Sequence, residues 1–421
     1  MRVPNAVEAH VASVCERLAK KSEKLALLYK NCYPNTISSA IEELADGTYF
    51  VLTGDIPAMW LRDSSAQVNH YIPLADDAEV ASIIRKVIEK QFFYILKDPY
   101  ANAFNDSANG RGHINDRPKN DPWVWEHKYE IDSLCYPLRL LYRYWKKTGD
   151  RSIIETQLPA VMETILTVWR TEQHHMEQSA YRFFRDDTRP TDTIHNEGMG
   201  NPVVYTGMTW SGFRPSDDGC TYGYLIASNM FASVVLGYAA EMLDGHPLAA
   251  ECLALKADID AGIAAYGIVD HPKYGKVYAC EVDGQGNTLL MDDANIPSLL
   301  SIPYIGYAPM DDVLYRNTRQ LLLSFDNPYY YEGSCARGIG SPHTPEQYIW
   351  HLALSMQGLT ADDPAEMEAI LKTMELCDGG TGFMHEGFLA DDPMQFTRPW
   401  FTWSDSLFCE FVDRCMEIGI V

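Results

Sequence analysis

An all-α fold is what this 421-residue sequence predicts, specifically a closed ring of helical hairpins, the (α/α)6 barrel, and two observations carry the prediction. Apolar residues recur at alternating three- and four-residue steps over about twelve stretches, the period of amphipathic helices. The connections between these stretches alternate between long and short. In the first stretch, about 5–32, Val7, Val11, Val14, Leu18, Leu25 and Leu28 share one face, and Pro34 ends it. The same test marks stretches near 63–75, 77–97, 130–147, 151–175, 219–243, 246–265, 294–301, 310–325, 344–358, 362–377 and 404–418. Short links fall near Asp76, Gly149, Gly245, Pro309 and Ala361, while long ones cover 33–62, 98–129, 176–218, 266–293, 326–343 and 378–403. A short link joins antiparallel neighbours at one end, so the long links fall at the other, and closing the ring gathers them on one face. A few short strands are expected in the long loops, among them 277–282 and 288–291 about the turn Asp283-Gly284. With no linker, low-complexity tract or sequence repeat, residues 1–421 are expected to form one domain.

The composition narrows the class of partner. A formal charge of −24 repels phosphate backbones and anionic lipids, so neither nucleic acid nor a membrane surface is expected as a partner. The 25 tyrosines and 9 tryptophans offer flat apolar faces with a polar edge, which suit stacking on sugar rings; most of them will still serve the core. No apolar segment approaches the length of a membrane span, the longest candidate, 230–240, being broken by Ser233 and Gly237. The start, Arg2-Val-Pro-Asn5, has no signal-peptide pattern, so a cytoplasmic location is expected. Ten scattered cysteines without a C-x-x-C pair read as buried hydrophobes in a reducing compartment, with no disulfides expected; Cys220 and Cys335 lie in motif-rich loops.

If the scaffold presents function on its long loops, those loops should hold chemistry-bearing residues beyond what solubility needs. The first carries Asp55-Ile-Pro-Ala-Met-Trp60-Leu-Arg62-Asp63 and the second Trp123-Val-Trp-Glu126-His-Lys-Tyr129-Glu130. Asp292-Asp-Ala-Asn295, Arg337-Gly-Ile-Gly-Ser-Pro-His343 and His385-Glu386-Gly387 follow. Stacking surfaces, carboxylates, amides and guanidinium groups together suit the vicinal hydroxyls of a sugar. Phosphate-binding glycine loops, the G-x-S-x-G elbow and H-E-x-x-H are all missing. His174-His175 and the loop 105–116 superficially invite a metal, but the two histidines point to different sides of a helix, and the loop departs from a calcium site at both ends; no metal and no cofactor are expected.

Inverting glycoside cleavage needs an acid and a base on opposite sides of the scissile bond, about 6.5–9.5 Å apart. Asp217 and Asp218 are adjacent, so each raises the other's proton affinity, although Ser216 or Asp217 could equally cap a following helix. Glu386, in a glycine-flanked loop, is a candidate base.

At Gly54-Asp-Ile-Pro-Ala-Met-Trp-Leu-Arg-Asp-Ser64, Ser211-Gly-Phe-Arg-Pro-Ser-Asp-Asp218 and Gly382-Phe-Met-His-Glu-Gly387 the sequence resembles glycoside hydrolase family 125, the exo-α-1,6-mannosidases, and the likeness runs over essentially the whole chain. The resemblance implies metal-independent, inverting removal of terminal mannose from oligosaccharides or N-glycan-derived chains, with Asp218 as acid and Glu386 as base. Preferring Asp218 to Asp217 rests on that resemblance. The expected pocket holds mannose among Trp60, Arg62, Asp63, Glu126, Glu130, Asp292, Asn295, Arg337 and His343, with Trp123 and Tyr129 near its mouth. The alternatives are another (α/α)6 carbohydrate-active enzyme, such as a phosphorylase or lyase, and a non-catalytic sugar-binding protein.

Overall fold

The computed structural model describes residues 1–186 and 188–421. An inner ring runs through Leu61–Asn69, Ile131–Thr148, Ile226–Met242, the turn Leu299–Ser301 with Ile302–Ile305, His351–Leu359 and Thr402–Glu417. Each packs on the next, and Thr402–Glu417 returns to Leu61–Asn69, which closes the (α/α)6 barrel. Outside lie Ala78–Lys97, Leu158–Gln173, Pro247–Tyr266, Val313–Leu322, Pro364–Leu376 and Glu23–Cys32; the N-terminal segment thus supplies the outer partner of the C-terminal helix.

The two rings differ in how their sequences are used. Pro247–Tyr266 buries the stripe Leu248, Cys252, Leu255, Ile259, Gly262 and Ile263, and leaves the opposite face to solvent. Leu61–Asn69 is buried at every position, including Arg62, Asp63, Gln67 and Asn69, so its polar side chains must find partners inside the barrel. Ends are set locally. Asp77 and Asp312 accept backbone N–H groups at helix starts, and Gly149, at φ 74°, ends Ile131–Thr148 in the left-handed conformation that favours glycine.

Several boundaries shift from the sequence reading. The stretch 5–32 is two helices, Asn5–Leu18 and Glu23–Cys32, because the Ser22 hydroxyl caps the second by accepting Leu25 N–H at 3.1 Å. The helix expected from 219 starts at Ile226, since Tyr224–Leu225 is instead a strand paired with Glu281–Val282; neither Ser216 nor Asp217 caps it. The stretch 294–301 is loop as far as Ser298, and His351–Leu359 starts seven residues late because Tyr348–Trp350 is a strand. The expected hairpin forms only at its tip, where Thr288 opposes Val282; Gly275–Tyr278 pairs instead with Ile268–His271.

Small three-stranded sheets tie neighbouring long loops together in pairs. Met59–Trp60, Ala103–Phe104 and Val124–Glu126 join the first loop to the second. Tyr348–Trp350, Gly387–Leu389 and Asp392–Phe396 join the fifth to the sixth, with Trp350 directly opposite Gly387. Among the described residues no helix is long and apolar enough to cross a membrane. All ten cysteines are unpaired; Cys335 is exposed and Cys220 half-buried.

Candidate active site

A cavity of about 270 Å³ opens on the long-loop face. Trp60, Arg62 and Asp63 from the first loop and its helix form one side, with Asp217 and Ser216 from the third. Asn295, His343 and Trp350 follow round the ring, and Glu386, Arg398 and Phe401 complete the wall.

One wall is built from charge. Arg62, only 2% exposed, places NH1 2.6 Å from Glu130 and 3.1 Å from Asp132, NH2 3.3 Å from Asp217, and Nε 3.5 Å from Asp63. Asn102 donates to Glu126 at 3.0 Å and to Asp217 at 3.3 Å, and Lys128 donates to the Asp217 carbonyl at 2.7 Å. Asp217 is held at φ 65°, a strained conformation for a residue with a Cβ, which these partners stabilise. Burial works against the charged form of Asp217, but Lys128 and Arg62 outweigh it and hold its carboxyl well below the usual range. Burial, with Asp217 beside it, pushes Glu130 well up against the pull of Arg62. Burial also raises Asp63 to about 6, with the cations Arg62 and Arg398 opposing it.

The facing wall is built from backbone. Glu386 lies between Met384, whose N–H donates to Asp405 at 2.9 Å, and Gly387, whose N–H donates to Thr397 at 3.1 Å. His351 Nδ1 accepts the His385 N–H at 3.1 Å, and its own N–H donates to the Glu386 carbonyl at 3.2 Å. Burial lowers His351 to about 4, which keeps the ring neutral and its lone pair available. The Glu386 carboxylate is left facing the cavity, with Arg398 NH1 3.9 Å away. Arg398, itself at φ 47°, donates to Asp55 at 2.6 and 2.8 Å and stacks over Phe401 at 4.4 Å.

Of the residues expected in the pocket, Trp60, Arg62, Asp63, Asn295, His343 and Glu386 line it. Asp218 stands behind the wall, without solvent exposure, beside His343. The remaining expectations are corrected. Trp123 packs edge-on against Phe93 and beneath Lys90. Glu126 is tied up by Arg185 at 2.8 Å, and Glu130 lies behind Arg62. Tyr129 is a core ring among Tyr100, Tyr181 and Trp210. Asp292 accepts the N–H groups of Leu299 and Leu300 at 2.9 and 3.0 Å and so holds a turn of the inner ring. Arg337 is exposed on a strand opposite Glu332. Residues that sequence reasoning missed are Trp350, Arg398 and Phe401; a cation beside Pro399 in an acidic chain was the one available signal for Arg398.

The metal candidates have other work. His175 bonds Glu172 and stacks on Trp210, His174 stacks on Tyr205, and Asn105 donates to the Arg111 and Pro122 carbonyls.

A family model described as metal-independent alpha-mannosidase (GH125) matches residues 22–413. The chain belongs to this family. It is thus a glycoside hydrolase. A Streptococcus pneumoniae metal-independent alpha mannosidase, solved as a non-productive complex with α-1,6-mannobiose, is 47% identical, with a TM-score of 0.96 and 98% of each chain covered. The Schizosaccharomyces pombe "Meiotically up-regulated gene 157 protein" is 40% identical over 98% of this chain and 86% of its own length. A bacterial glucoamylase complexed with acarbose shares the fold at 11% identity, with a TM-score of 0.58 over 95% of this chain and 57% of its own.

Proposed function

We propose that this GH125 enzyme removes terminal α-1,6-linked mannose by inverting hydrolysis. The observation that carries the reading is the cavity itself: one end is closed by the Arg62 charge network and one ionisable carboxylate, Glu386, projects from the facing wall. A pocket closed at one end accepts a chain terminus, which makes the action exo. The linkage rests on likeness to the pneumococcal enzyme, whose description concerns the processing of N-linked glycans; mannose-terminated chains from such glycans are the proposed substrates. Ten unpaired cysteines suit a reducing compartment, and we place the activity in the cytoplasm.

In this reading Glu386 takes a proton from the water that attacks the anomeric carbon, and Asp218 protonates the departing oxygen. Asp217 is the poorer acid, because two permanent cations keep it ionised; it is better suited to accept hydrogen bonds from sugar hydroxyls. One observation favours the reverse assignment: Asp217, with its side chain 22% exposed, is on the cavity wall, whereas Asp218 is behind it.

Two measurements decide. Anomeric proton signals from α-1,6-mannobiose, followed from the first minutes with chelator present, should show β-mannose before mutarotation; initial α-mannose overturns the inverting pair. The acid is the position whose Asp→Asn change abolishes cleavage of mannobiose yet spares a mannoside with a nitrophenolate leaving group, which needs no proton. Asp218→Asn is expected to behave this way, and Asp217→Asn to weaken both substrates alike.

A further inference from the structure

Asp217 and Asp218 share one short turn, and that turn is gripped by its backbone. Within it the Asp217 N–H donates to the Arg214 carbonyl at 2.9 Å and the Arg214 N–H to the Asp218 carbonyl at 2.8 Å, while Phe213 and Gly219 bridge its base. From one side Lys128 donates to the Asp217 carbonyl at 2.7 Å; from the other Asn295 donates to the Pro215 carbonyl at 2.7 Å. The Ser216 hydroxyl between them donates to Asp293 at 2.6 Å. The third loop carries the turn, but the second and fourth loops hold it.

Neither donor is used as its residue type ordinarily is. Lys128 is 1% exposed, and burying an ammonium is unfavourable unless carboxylates surround it. It has two, Asp192 in direct contact and Glu126 at 3.6 Å, yet one of its three N–H groups goes to a neutral carbonyl. Asp192 is itself fixed by Arg185 at 3.1 Å and by the Thr188 hydroxyl at 2.6 Å, which holds the ammonium in place. Asn295 lines the cavity, but its amide is turned to the main chain: besides the donation to Pro215, its Oδ1 accepts the Ile296 N–H at 2.9 Å. These contacts oppose the strain at Asp217, whose φ of 65° is kept by a residue with a Cβ only where its surroundings over-determine it. Released, the peptide planes on either side of Asp217 would turn toward ordinary backbone angles and swing both carboxyls with them.

We propose that Lys128 and Asn295 are positioning residues for the catalytic acid: by fixing the carbonyls of Asp217 and Pro215 they set the direction of the carboxyl that protonates the departing oxygen. The proposal rests on the acid being carried by this turn, and it holds whether that acid is Asp217 or Asp218. Neither Lys128 nor Asn295 gains or loses a proton in the reaction. The acid gives its proton to the glycosidic oxygen as the bond to the anomeric carbon breaks, and water deprotonated by Glu386 forms the new bond to that carbon. A misaimed acid therefore fails only where the leaving group needs a proton.

The test compares two leaving groups in one protein preparation, so that any misfolded fraction cancels. In Lys128→Met, kcat for α-1,6-mannobiose should fall about 30- to 100-fold while kcat for the nitrophenyl mannoside falls by less than about threefold, with KM for both little changed. Asn295→Ala, which disturbs no charge, should show the same split with a loss of about tenfold on mannobiose, and it carries the test alone if Lys128→Met does not fold. Adding either change to the Asp→Asn variant that the nitrophenyl mannoside spares should cost mannobiose cleavage less than about threefold more, because no acid is left to aim. Equal losses on the two substrates, or losses that multiply in full in the double variant, make the residue scaffold or sugar contact and overturn the proposal for it. Failure of the premise looks different: neither Asp217→Asn nor Asp218→Asn would then be spared by the activated leaving group.

Discussion

The two walls of the cavity hold carboxylates in opposite ways. On the first, Asp63, Glu130, Asp132 and Asp217 surround Arg62, and each group is held by charge. On the second, Glu386 is held through its main chain by Asp405, His351 and Thr397, and its one cationic neighbour, 3.9 Å away, is committed to Asp55. A carboxylate locked to permanent cations makes a rigid acceptor for sugar hydroxyls but exchanges protons poorly. One positioned by its backbone keeps its own oxygens free for water. The first wall is therefore suited to recognition and the second to chemistry, and the distinction can be broken by substitution.

The largest effect should come from the second wall. Glu386→Gln keeps shape and packing but removes the base, so kcat should fall by about two to four orders of magnitude with little change in melting temperature. Activity near that of the unaltered enzyme would remove Glu386 from the chemistry. On the first wall the loss should appear as stability. Arg62→Met leaves buried carboxylates facing one another without their cation, and urea unfolding should show a deficit of about 3–5 kcal/mol. Arg62→Lys, which keeps the charge without the fork, should fall between. If Arg62→Met unfolds like the unaltered protein, the charge network does not hold this wall.

A smaller effect tests the backbone tether. Burial pushes Asp405 up to about 7, against the donors Asn35 and Met384 N–H. Between about pH 4 and 7 the folded chain therefore holds a proton there that the unfolded chain has released. Stability contributed at this position falls as pH rises through that window, by about 1.4 kcal/mol per pH unit at its steepest. Asp405→Asn lacks the titration, so its stability relative to the unaltered protein should improve as pH rises from 4 to 7. A constant difference would mean that Asp405 is ionised throughout.

How much of this was legible depended on whether the signal was local. The helices followed from short-range periodicity, and the gathering of long loops on one face followed from connection lengths. The start at Ile226 was missed because the apolar run Tyr224–Leu225 satisfies a strand as readily as a helix, and only its pairing with Glu281–Val282 decides. At the site, Arg62, Asp63 and Glu386 stood out as charged residues in irregular loops. Glu126, Glu130 and Asp292 stood out for the same reason, yet they face Arg185, Arg62 and a pair of backbone N–H groups. Residue type does not reveal which side of a cation a carboxylate occupies. Trp350 and Arg398 escaped notice because their places depend on a distant strand register and on a left-handed backbone at Arg398.

The smallest expected effect separates two arginines that look alike in sequence. Arg337 and Arg398 each sit in a long loop of a strongly acidic chain, and either could plausibly clamp a sugar. Arg398 lines the cavity, ties the sixth loop to Asp55 and covers Phe401, so Arg398→Ala should loosen the second wall and lower kcat/KM by about tenfold. Arg337 lies exposed on its strand away from the cavity, so Arg337→Ala should change stability by less than about 0.5 kcal/mol and kcat/KM by less than about twofold. A large loss from Arg337→Ala would mean that the strand Arg337–Ile339 moves onto the substrate when it binds, and that the fifth loop belongs to the recognising wall.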